Sequence, residues 1–265
     1  MPTYLEVCET AVRRAGAVLL DRFGRVRARR KGPHDLVTEA DLAAQEVVRT
    51  TIHEAFPTHS LVGEEDLHES SDSPEANEFR WIVDPLDGTT NYVHLVPFCC
   101  VSLALEHRGQ LLASAVFNPF DKECFTAAAG QGAALNGTPI HASAVHELSK
   151  ALIVAGFPAS VSKQSPDLRV FNEVVTRCQG IRRTGSAALN LAYVAAGRFD
   201  AAWSCSTKIW DSAAGFLLIR EAGGVATAIS GEELAVPTGP FLVAATADLH
   251  RELTAIVQKV LSERP

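Results

Sequence analysis

The stretch DPLDGTTNYVH, residues 84 to 94, places two carboxylates three positions apart directly after the apolar run WIV. A proline lies between them and a glycine follows, so we expect the chain to leave a buried strand here and turn sharply. The turn allows Asp84, Asp87 and the carbonyl oxygen of Leu86 to point at one place. Such hard oxygen ligands suit Mg²⁺ or Mn²⁺ better than Zn²⁺, which prefers His and Cys. The spacing indicates a divalent cation, although a turn that caps a helix would use the same residues.

The residues that follow are suited to bind an anion beside that cation. Gly88, Thr89 and Thr90 are predicted to begin a helical turn. The free backbone N–H groups at the start of a helix attract negative charge. A phosphate group satisfies both neighbours, because its oxygens bind cations and accept hydrogen bonds from amides.

Two further carboxylates lie far from this segment in the sequence. Glu64 follows a glycine in LVGEE at the end of a predicted strand, and Asp211 begins a helix of small residues in KIWDSAAG. Taken alone, Glu64 is interpreted as a charged side chain in a solvated loop, and Asp211 as the N-cap of a helix. Brought together with Asp84 and Asp87, they would repel one another and raise each other's pKa. Two or more divalent ions would relieve that repulsion, and pairs of ions roughly 3.5 to 4 Å apart are known to clamp a transferring phosphoryl group.

The elements that position these carboxylates follow from hydrophobic spacing. Two amphipathic helices come first, and Thr38 with Asp41 resembles the cap of the second. A strand precedes each of the first two acidic segments, and turn signals at Arg108–Gly109 and Asn136–Gly137 predict hairpins. From ALIVAGFP, residues 151 to 158, strands and helices alternate.

The chain is therefore predicted to be an α+β or α/β protein in two parts. Residues 1–145 are expected to form a helix pair with an antiparallel sheet and to carry most of the metal ligands. Residues 146–265 are expected to form an α/β unit that completes the site.

Composition and charge narrow the choice of partners. The chain of 265 residues is 47% hydrophobic and carries a net charge of −7, so attraction to nucleic acid or to an anionic membrane is not expected. The six cysteines show no C-x-x-C spacing, and the opening MPTYLEVCET has no apolar secretory signal. Apolar runs are shorter than the roughly 20 residues needed to cross a bilayer. These features favour a cytoplasmic protein with no membrane or nucleic-acid partner.

The acidic segments resemble the signature segments of the inositol monophosphatase family of metal-dependent, lithium-sensitive sugar phosphatases. The resemblance runs in order along most of the chain, through DLVTEAD (35–41), GEE (63–65), DPLDGTTNYVH (84–94), RRTGSAALNLAYVAAGRFDA (182–201), WDSAAG (210–215) and EAGG (221–224). It implies a layered α-β-α-β-α sandwich, usually homodimeric, with Mg²⁺ between the two halves. It also implies a small phosphorylated sugar or polyol as the substrate.

The resemblance implies how the ligands divide among the ions. Two or three Mg²⁺ ions are expected, with Mn²⁺ as a substitute. The first ion would be held by Glu64, Asp84 and the carbonyl of Leu86. The second would be held by Asp84, Asp87 and Asp211, and a weaker third ion would face Glu64.

The resemblance also assigns the catalytic and substrate-binding residues. Thr89, hydrogen-bonded to Asp41, would orient the attacking water, which a metal ion and Glu64 help to deprotonate. No phospho-enzyme is needed. The residues implied to contact the substrate are Asp87, Gly88, Thr89, Gly185, Ser186, Ala187, Ser204 and Asp211.

Ser204 departs from the family pattern. Members that act on inositol or similar polyols often carry an acidic residue at this position, seven residues before Asp211, where it can bind a substrate hydroxyl. The segment DPLDGTTNYVH favours inositol monophosphate as the substrate. The serine leaves histidinol phosphate, fructose 1,6-bisphosphate, a nucleotide 3′-phosphate and NADP open for the same reaction.

The basic loop from Arg25 to Lys31 corresponds to a mobile active-site loop in relatives, where a lysine approaches the metals. Arg30 or Lys31 could fill that role here. A plain exposed loop would have the same composition.

Two other classes of function fit the sequence less well. A phosphatase with an aspartyl nucleophile needs D-x-D-x-[TV] after a strand, and DPLDG has the wrong spacing. A regulatory partner-binding module of the same fold, of the kind some bacterial relatives form with RNA polymerase, has no need of Thr89, Asp41 and the four carboxylates together. The sequence therefore predicts a phosphoric monoester hydrolase of the inositol-phosphate phosphatase type.

Overall fold

The computed structural model describes residues 2–26, 28–30, 36–66 and 78–263, apart from the side chain of Arg30. The helices are α1 (Tyr4–Arg22), α2 (Glu39–Ala55), α3 (Thr89–Val93), α4 (Pro166–Val174), α5 (Ala187–Ala195), α6 (Ile209–Glu221) and α7 (Ala247–Ser262). Lys31 and the side chain of Arg30 lie outside the described residues, so their approach to the metals stays a prediction.

The first large sheet follows the chain order from β3 to β9. Its strands are β3 (Ser60–Gly63), β4 (Phe79–Asp87), β5 (Cys100–His107), β6 (Gln110–Asn118), β7 (Glu123–Ala128), β8 (Ala133–Leu135) and β9 (Thr138–Ile140), and a separate short pair comprises β1 (Arg29–Arg30) and β2 (Leu36–Val37). The strands β3 and β4 are parallel, and the later neighbours are antiparallel.

The predicted hairpins are confirmed. The residues Arg108, Gly109, Asn136 and Gly137 have φ values of 51°, 75°, 48° and 78°. Two successive left-handed residues match the right-handed twist of the strands that they join. The turns therefore fix the register of β5 with β6 and of β8 with β9.

The second sheet has the order β11-β10-β12-β14-β13. Its strands are β10 (Leu152–Ala155), β11 (Gly180–Arg182), β12 (Ala201–Ser204), β13 (Val225–Ala228) and β14 (Phe241–Ala244). The first three neighbours are parallel, so β11, β10 and β12 end at the same edge of the sheet. Strand β13 is an element that the sequence reading did not identify.

Three hydrophobic clusters hold the layers together. The first buries α1 and α2 against one face of the first sheet, the second surrounds α5 and α6 between the sheets, and the third joins α4 and α7 to the outer face of the second sheet. Along β4, Trp81 and Val83 face the helix pair while Ile82 faces the central helices, as the alternation of a strand requires. The layered α-β-α-β-α sandwich is therefore confirmed.

The central helices approach each other closely. A Cβ atom added at Gly215 of α6 would collide with the side chain of Leu191 on α5. Both helices are buried on most of their surface, because sheets cover them on two sides. This close packing brings the start of α5 and the start of α6 to the same region between the sheets.

The division of the chain follows the two sheets, and the boundary predicted at residue 145 falls between β9 and β10. That these halves are separate domains stays a prediction. Within the described ranges, every helix is too short or too polar to span a membrane.

Candidate active site

The end of β4 carries an irregularity that turns two aspartates toward the same region. From Asp84 to Asp87 this strand advances three residues, while its partner β5 advances only two, from Ser102 to Cys100. Residues three apart on a regular strand point to opposite faces. The extra residue is a β-bulge, which re-aims side chains, and the proline within it cannot donate a ladder hydrogen bond anyway. Both aspartates are buried, with exposures of 2% and 8%.

The turn after the bulge begins α3, as predicted. Gly88 has a φ of 97°, and a Cβ atom there would lie 3.0 Å from the carbonyl oxygen of Phe98. Only glycine accepts both the left-handed backbone and the close approach. The Leu86 amide donates to Asp84 Oδ1 at 3.0 Å, which fixes the aspartate against its own turn.

Thr89 and Asp41 lie side by side, as the resemblance implies. Thr89 Oγ is 3.3 Å from Asp41 Oδ1 and 3.0 Å from the carbonyl oxygen of Leu86, so its single hydrogen serves one of these two acceptors at a time. Asp41 also caps α2, because its Oδ2 accepts from the amide and the hydroxyl of Thr38 at 2.8 and 2.7 Å. Burial raises the pKa of Asp41 to about 6, although these hydrogen bonds oppose the shift.

Glu64 reaches the same edge through parallel pairing. Gly63 at the end of β3 pairs with Val83 of β4, so the turn that begins at Glu64 lies beside Asp84. Burial raises the pKa of Asp84 well above its ordinary value, and three neighbouring charges add to the shift: those of Glu64, Asp87 and Asp211. The predicted convergence of the four carboxylates is therefore visible in their electrostatics.

Asp211 comes from the other half of the chain. It lies in the first turn of α6, where its Oδ2 accepts from the Lys208 amide at 2.8 Å. Burial, and then the charge of Asp87, raise its pKa to about 7, while the nearby Lys208 charge opposes the shift. Lys208 is the N-cap of α6, so the alternative reading of Asp211 as the N-cap is wrong: Asp211 is the third residue of the helix and accepts from the N-cap amide.

Asp87 joins the two halves directly. Its Oδ2 accepts from Ser186 Oγ and from the Ala188 amide, both at 2.6 Å, and its Oδ1 accepts from the Ala187 amide at 3.1 Å. The thiol of Cys100 lies 3.8 Å from Oδ2. Burial raises the pKa of Asp87 even so.

These residues fit divalent cations in chemistry, and a cation would have to adjust their positions slightly. The donors are buried oxygens whose mutual repulsion a hard cation relieves. Across residues 2–26, 28–30, 36–66 and 78–263, no three Asp, Glu, His or Cys side chains already form a coordination shell.

The predicted sugar-pocket residues differ in their contact with this cluster. Ser186 and Ala187 are engaged by Asp87, and Gly185 adjoins the amide of Asn91. Ser204 is buried at the end of β12, where its Oγ accepts from the Ser206 amide at 3.4 Å. Their contact with a substrate stays a prediction.

Two contributors were missed by the sequence reading. The sequence could not identify the Ala188 amide as a donor, because every residue except proline has the same backbone N–H. Cys100 begins β5 directly after Cys99, and only the pairing of β4 with β5 shows which of the two cysteines faces Asp87.

Comparison with known proteins shows the family of the chain. The model of the inositol monophosphatase family matches residues 2–262. The inositol-1-monophosphatase of Rhizobium meliloti is 40% identical over 267 residues, covering 98% of each chain, and the Nus factor SuhB of Pseudomonas aeruginosa is 38% identical over 262 residues, covering 97% of this chain and 96% of its own. The crystal structure of the extragenic suppressor protein SuhB from Bartonella henselae superposes with a TM-score of 0.88 at 36% identity, covering 96% of this chain and 98% of its own. The chain therefore belongs to the inositol monophosphatase family.

Proposed function

We propose that the protein is a metal-dependent phosphoric monoester hydrolase whose site lies where the ends of β3 and β4 meet the start of α6. The observation that carries the proposal is the convergence of carboxylates from three distant segments, close enough to raise the pKa of Asp84 and Asp211. Such repulsion destabilises the fold when no cation is bound. An acidic cluster of this kind is therefore accounted for by a function that uses the cation.

The ligand assignment follows the resemblance and the positions of the carboxylates. One ion would be held by Glu64, Asp84 and the Leu86 carbonyl, a second by Asp84, Asp87 and Asp211, and a weaker third would face Glu64. Mg²⁺ is the proposed ion, with Mn²⁺ as the alternative, because the donors are all oxygen. Divalent cations in such a site neutralise phosphate charge and lower the pKa of bound water.

Thr89 is proposed to orient the water that attacks phosphorus. When its hydrogen is donated to Asp41, the remaining lone pairs of Thr89 Oγ can accept a hydrogen bond from that water. Asp41 accepts the hydrogen in its ionised form, which predominates above its pKa of about 6. Glu64 is proposed to take the proton of the water.

The substrate is proposed to be inositol monophosphate or a closely related polyol phosphate. The family and the name of the Rhizobium meliloti relative support this choice. The amides of Gly88 and Thr89 would hold the phosphoryl oxygens. The residues proposed to contact the rest of the substrate are Asp87, Gly185, Ser186, Ala187, Ser204 and Asp211.

A panel of esters tests the proposal. Purified protein is assayed for phosphate release from inositol 1-phosphate, histidinol phosphate, fructose 1,6-bisphosphate, a nucleotide 3′-phosphate and NADP, with MgCl₂ or with EDTA. We expect release that requires Mg²⁺ and is fastest with inositol 1-phosphate. Equal release in EDTA would refute the metal-dependent chemistry. A different preferred ester would correct the substrate and leave the chemistry in place.

A second candidate function rests on the relatives that are named Nus factor SuhB, at 38% identity for the Pseudomonas aeruginosa protein. This chain could serve as a partner-binding module of that kind, in addition to catalysis or instead of it. Absence of turnover for every ester, in a protein that Mg²⁺ stabilises, would favour the module. Homodimer formation, sensitivity to lithium and a cytoplasmic location stay predictions from the resemblance and the composition, and size-exclusion chromatography with light scattering tests the first.

A further inference from the structure

Asp87 is held by donors that belong to the far half of the chain. Ser186 and Ala188 lie 99 and 101 residues away in sequence and donate to the same oxygen, Oδ2, at 2.6 Å each. The other oxygen, Oδ1, accepts from the Ala187 amide at 3.1 Å. All three donors come from the start of α5, so this helix start binds the carboxylate of a residue at the end of β4.

The two oxygens of Asp87 therefore differ in what they can still bind. Each carboxylate oxygen offers about two lone-pair sites. Two short hydrogen bonds fill those of Oδ2, and the Cys100 thiol at 3.8 Å adds a third, weak donor. Oδ1 carries one bond among the described residues and retains a lone-pair site. The charge of Asp87 acts on Asp84 and Asp211, so its carboxylate lies within the acidic cluster.

Ser186 is the side chain that decides this difference. Its hydroxyl accepts from the Leu189 amide at 3.4 Å as the N-cap of α5, and it donates its one hydrogen to Asp87. The side chain is buried, with 1% exposure, so water does not compete for that hydrogen. Without the hydroxyl, Asp87 keeps one amide donor on each oxygen, and its carboxylate is held less firmly in its orientation.

We infer that Ser186 is a positioning residue for the metal centre, which fixes Asp87 so that Oδ1 is the oxygen presented to the cation. This inference rests on the proposed function, because it needs the carboxylate cluster to bind a divalent ion. It gives Ser186 a role distinct from contact with the sugar. It also makes the start of α5 a part of the metal centre, although the helix contributes no ligand.

The test measures metal binding without an activity assay. The midpoint of thermal unfolding is recorded against MgCl₂ concentration for the wild type, Ser186→Ala and Ser186→Thr. Loss of a hydrogen bond that orients a metal ligand typically weakens metal affinity by about 10- to 100-fold. We expect Ser186→Ala to need at least about tenfold more Mg²⁺ for the same shift in midpoint, and Ser186→Thr, which keeps both hydrogen bonds, to stay within about twofold of the wild type.

Thr246→Ala is the matched control. Thr246 is the N-cap of α7, its hydroxyl accepts from the Leu249 amide at the same 3.4 Å, and it donates to the carbonyl of Val145 at 2.8 Å. Removing this hydroxyl costs the protein a cap of the same kind, far from the acidic cluster. We expect a lower midpoint in EDTA and an unchanged dependence on Mg²⁺. If Ser186→Ala does not fold, Ser186→Gly replaces it, because glycine is tolerated at an N-cap with a smaller loss.

The outcomes separate this inference from the proposed function. If Mg²⁺ fails to stabilise the wild type, the metal centre and the role of Ser186 are both refuted. If Mg²⁺ stabilises the wild type and Ser186→Ala alike, the metal centre stands and the positioning role is wrong. Equal weakening of Mg²⁺ binding in Ser186→Ala and Thr246→Ala would also refute it, since the effect would then follow from general stability.

Discussion

The chain turns from a buried strand toward a helix at the end of β4 and again at the end of β12, and the two turns differ in chemistry. The end of β4 carries Asp84 and Asp87, which are buried and whose pKa values are raised. The end of β12 carries Ser204, which is equally buried but uncharged, and its hydroxyl is used by the Ser206 amide. The carboxylates of the first turn repel one another, whereas the serine of the second turn carries no charge and already has a hydrogen bond.

This difference separates two tasks within one site. Buried carboxylates that repel each other destabilise the folded state, and the proposed cation, which would act on phosphate, would account for their place at the end of β4. A buried serine is tolerated without any ligand, so β12 can vary its residue to suit the alcohol part of a substrate. Under the proposed function, the reaction belongs to the end of β4 and the choice of substrate to the end of β12. Substitutions at each end test this division.

The largest effect is expected for Asp84→Asn. The amide cannot bind two cations as a carboxylate does, so turnover of inositol 1-phosphate should fall by about 10³-fold or more, comparable to losing a main electrostatic group of an active site. The same change should raise the unfolding midpoint in EDTA, because it removes a buried charge whose pKa is raised. Initial rates and thermal melts by circular dichroism measure the two effects. Near-normal turnover with an intact fold would show that the end of β4 is not the reaction centre.

Thr89→Ala should come next. Without the hydroxyl the attacking water loses an acceptor that Asp41 holds in place, and a loss of about 10²-fold in kcat is expected, in the range for misplaced proton-transfer groups. Thr89→Ser keeps the hydroxyl and should recover most of the rate. Asp41→Asn tests the same contact from its other side, although it also alters the cap of α2. If Thr89→Ala and Thr89→Ser lose equal activity, the methyl group rather than the hydroxyl is what matters.

The stability of the cation-free protein should depend on pH in a direction set by the raised pKa values. The ordinary pKa of these aspartates is 3.8, while in the folded protein the pKa of Asp41 is raised to about 6 and that of Asp211 to about 7. The folded state therefore binds protons more tightly, and stability is lost as the pH rises through this window. A bound cation replaces the protons, so the increase in unfolding midpoint caused by MgCl₂ should be larger at pH 8 than at pH 5.

The control for the pH experiment is Asp84→Asn. Burial lowers the pKa values of His59 and His250, so these two residues make stability rise with pH below about pH 6.5, which is the opposite trend. Wild type and Asp84→Asn share both histidines, and the difference between their profiles isolates the acidic cluster. Parallel profiles for the two proteins, with the same response to MgCl₂, would contradict the assignment of repulsion to the end of β4.

The sequence was informative about one of these turns and less so about its surroundings. Asp84 and Asp87 alone would equally serve a turn that caps a helix, and they were predicted as ligands because Glu64, Asp211 and the family resemblance pointed the same way. The link of Thr89 to Asp41 also came from the resemblance, and the structure contains it. The hydrogen bonds from the start of α5 to Asp87 could not be predicted. Two of the donors are backbone amides, which carry no sequence signal, and the bulge in β4 decides that Asp87 faces them. Strand β13 was missed for a similar reason: VATA is short, and its pairing with β14 is set by the tertiary fold.

The smallest effect is expected for Ser204→Ala. A neutral hydrogen bond contributes about 0.5 to 1.5 kcal/mol, and the bond from the Ser206 amide is long at 3.4 Å, so the unfolding midpoint should change little. If the hydroxyl also contacts the substrate, kcat/KM should fall by up to about tenfold, since about 1.4 kcal/mol corresponds to one factor of ten. That fall should differ between inositol 1-phosphate and an ester with a smaller alcohol, while kcat for the better ester stays close to the wild type. Equal loss for every ester, as large as that of Asp84→Asn, would mean that β12 also serves the reaction, because a residue that only selects the alcohol has no reason to slow the attack on phosphorus.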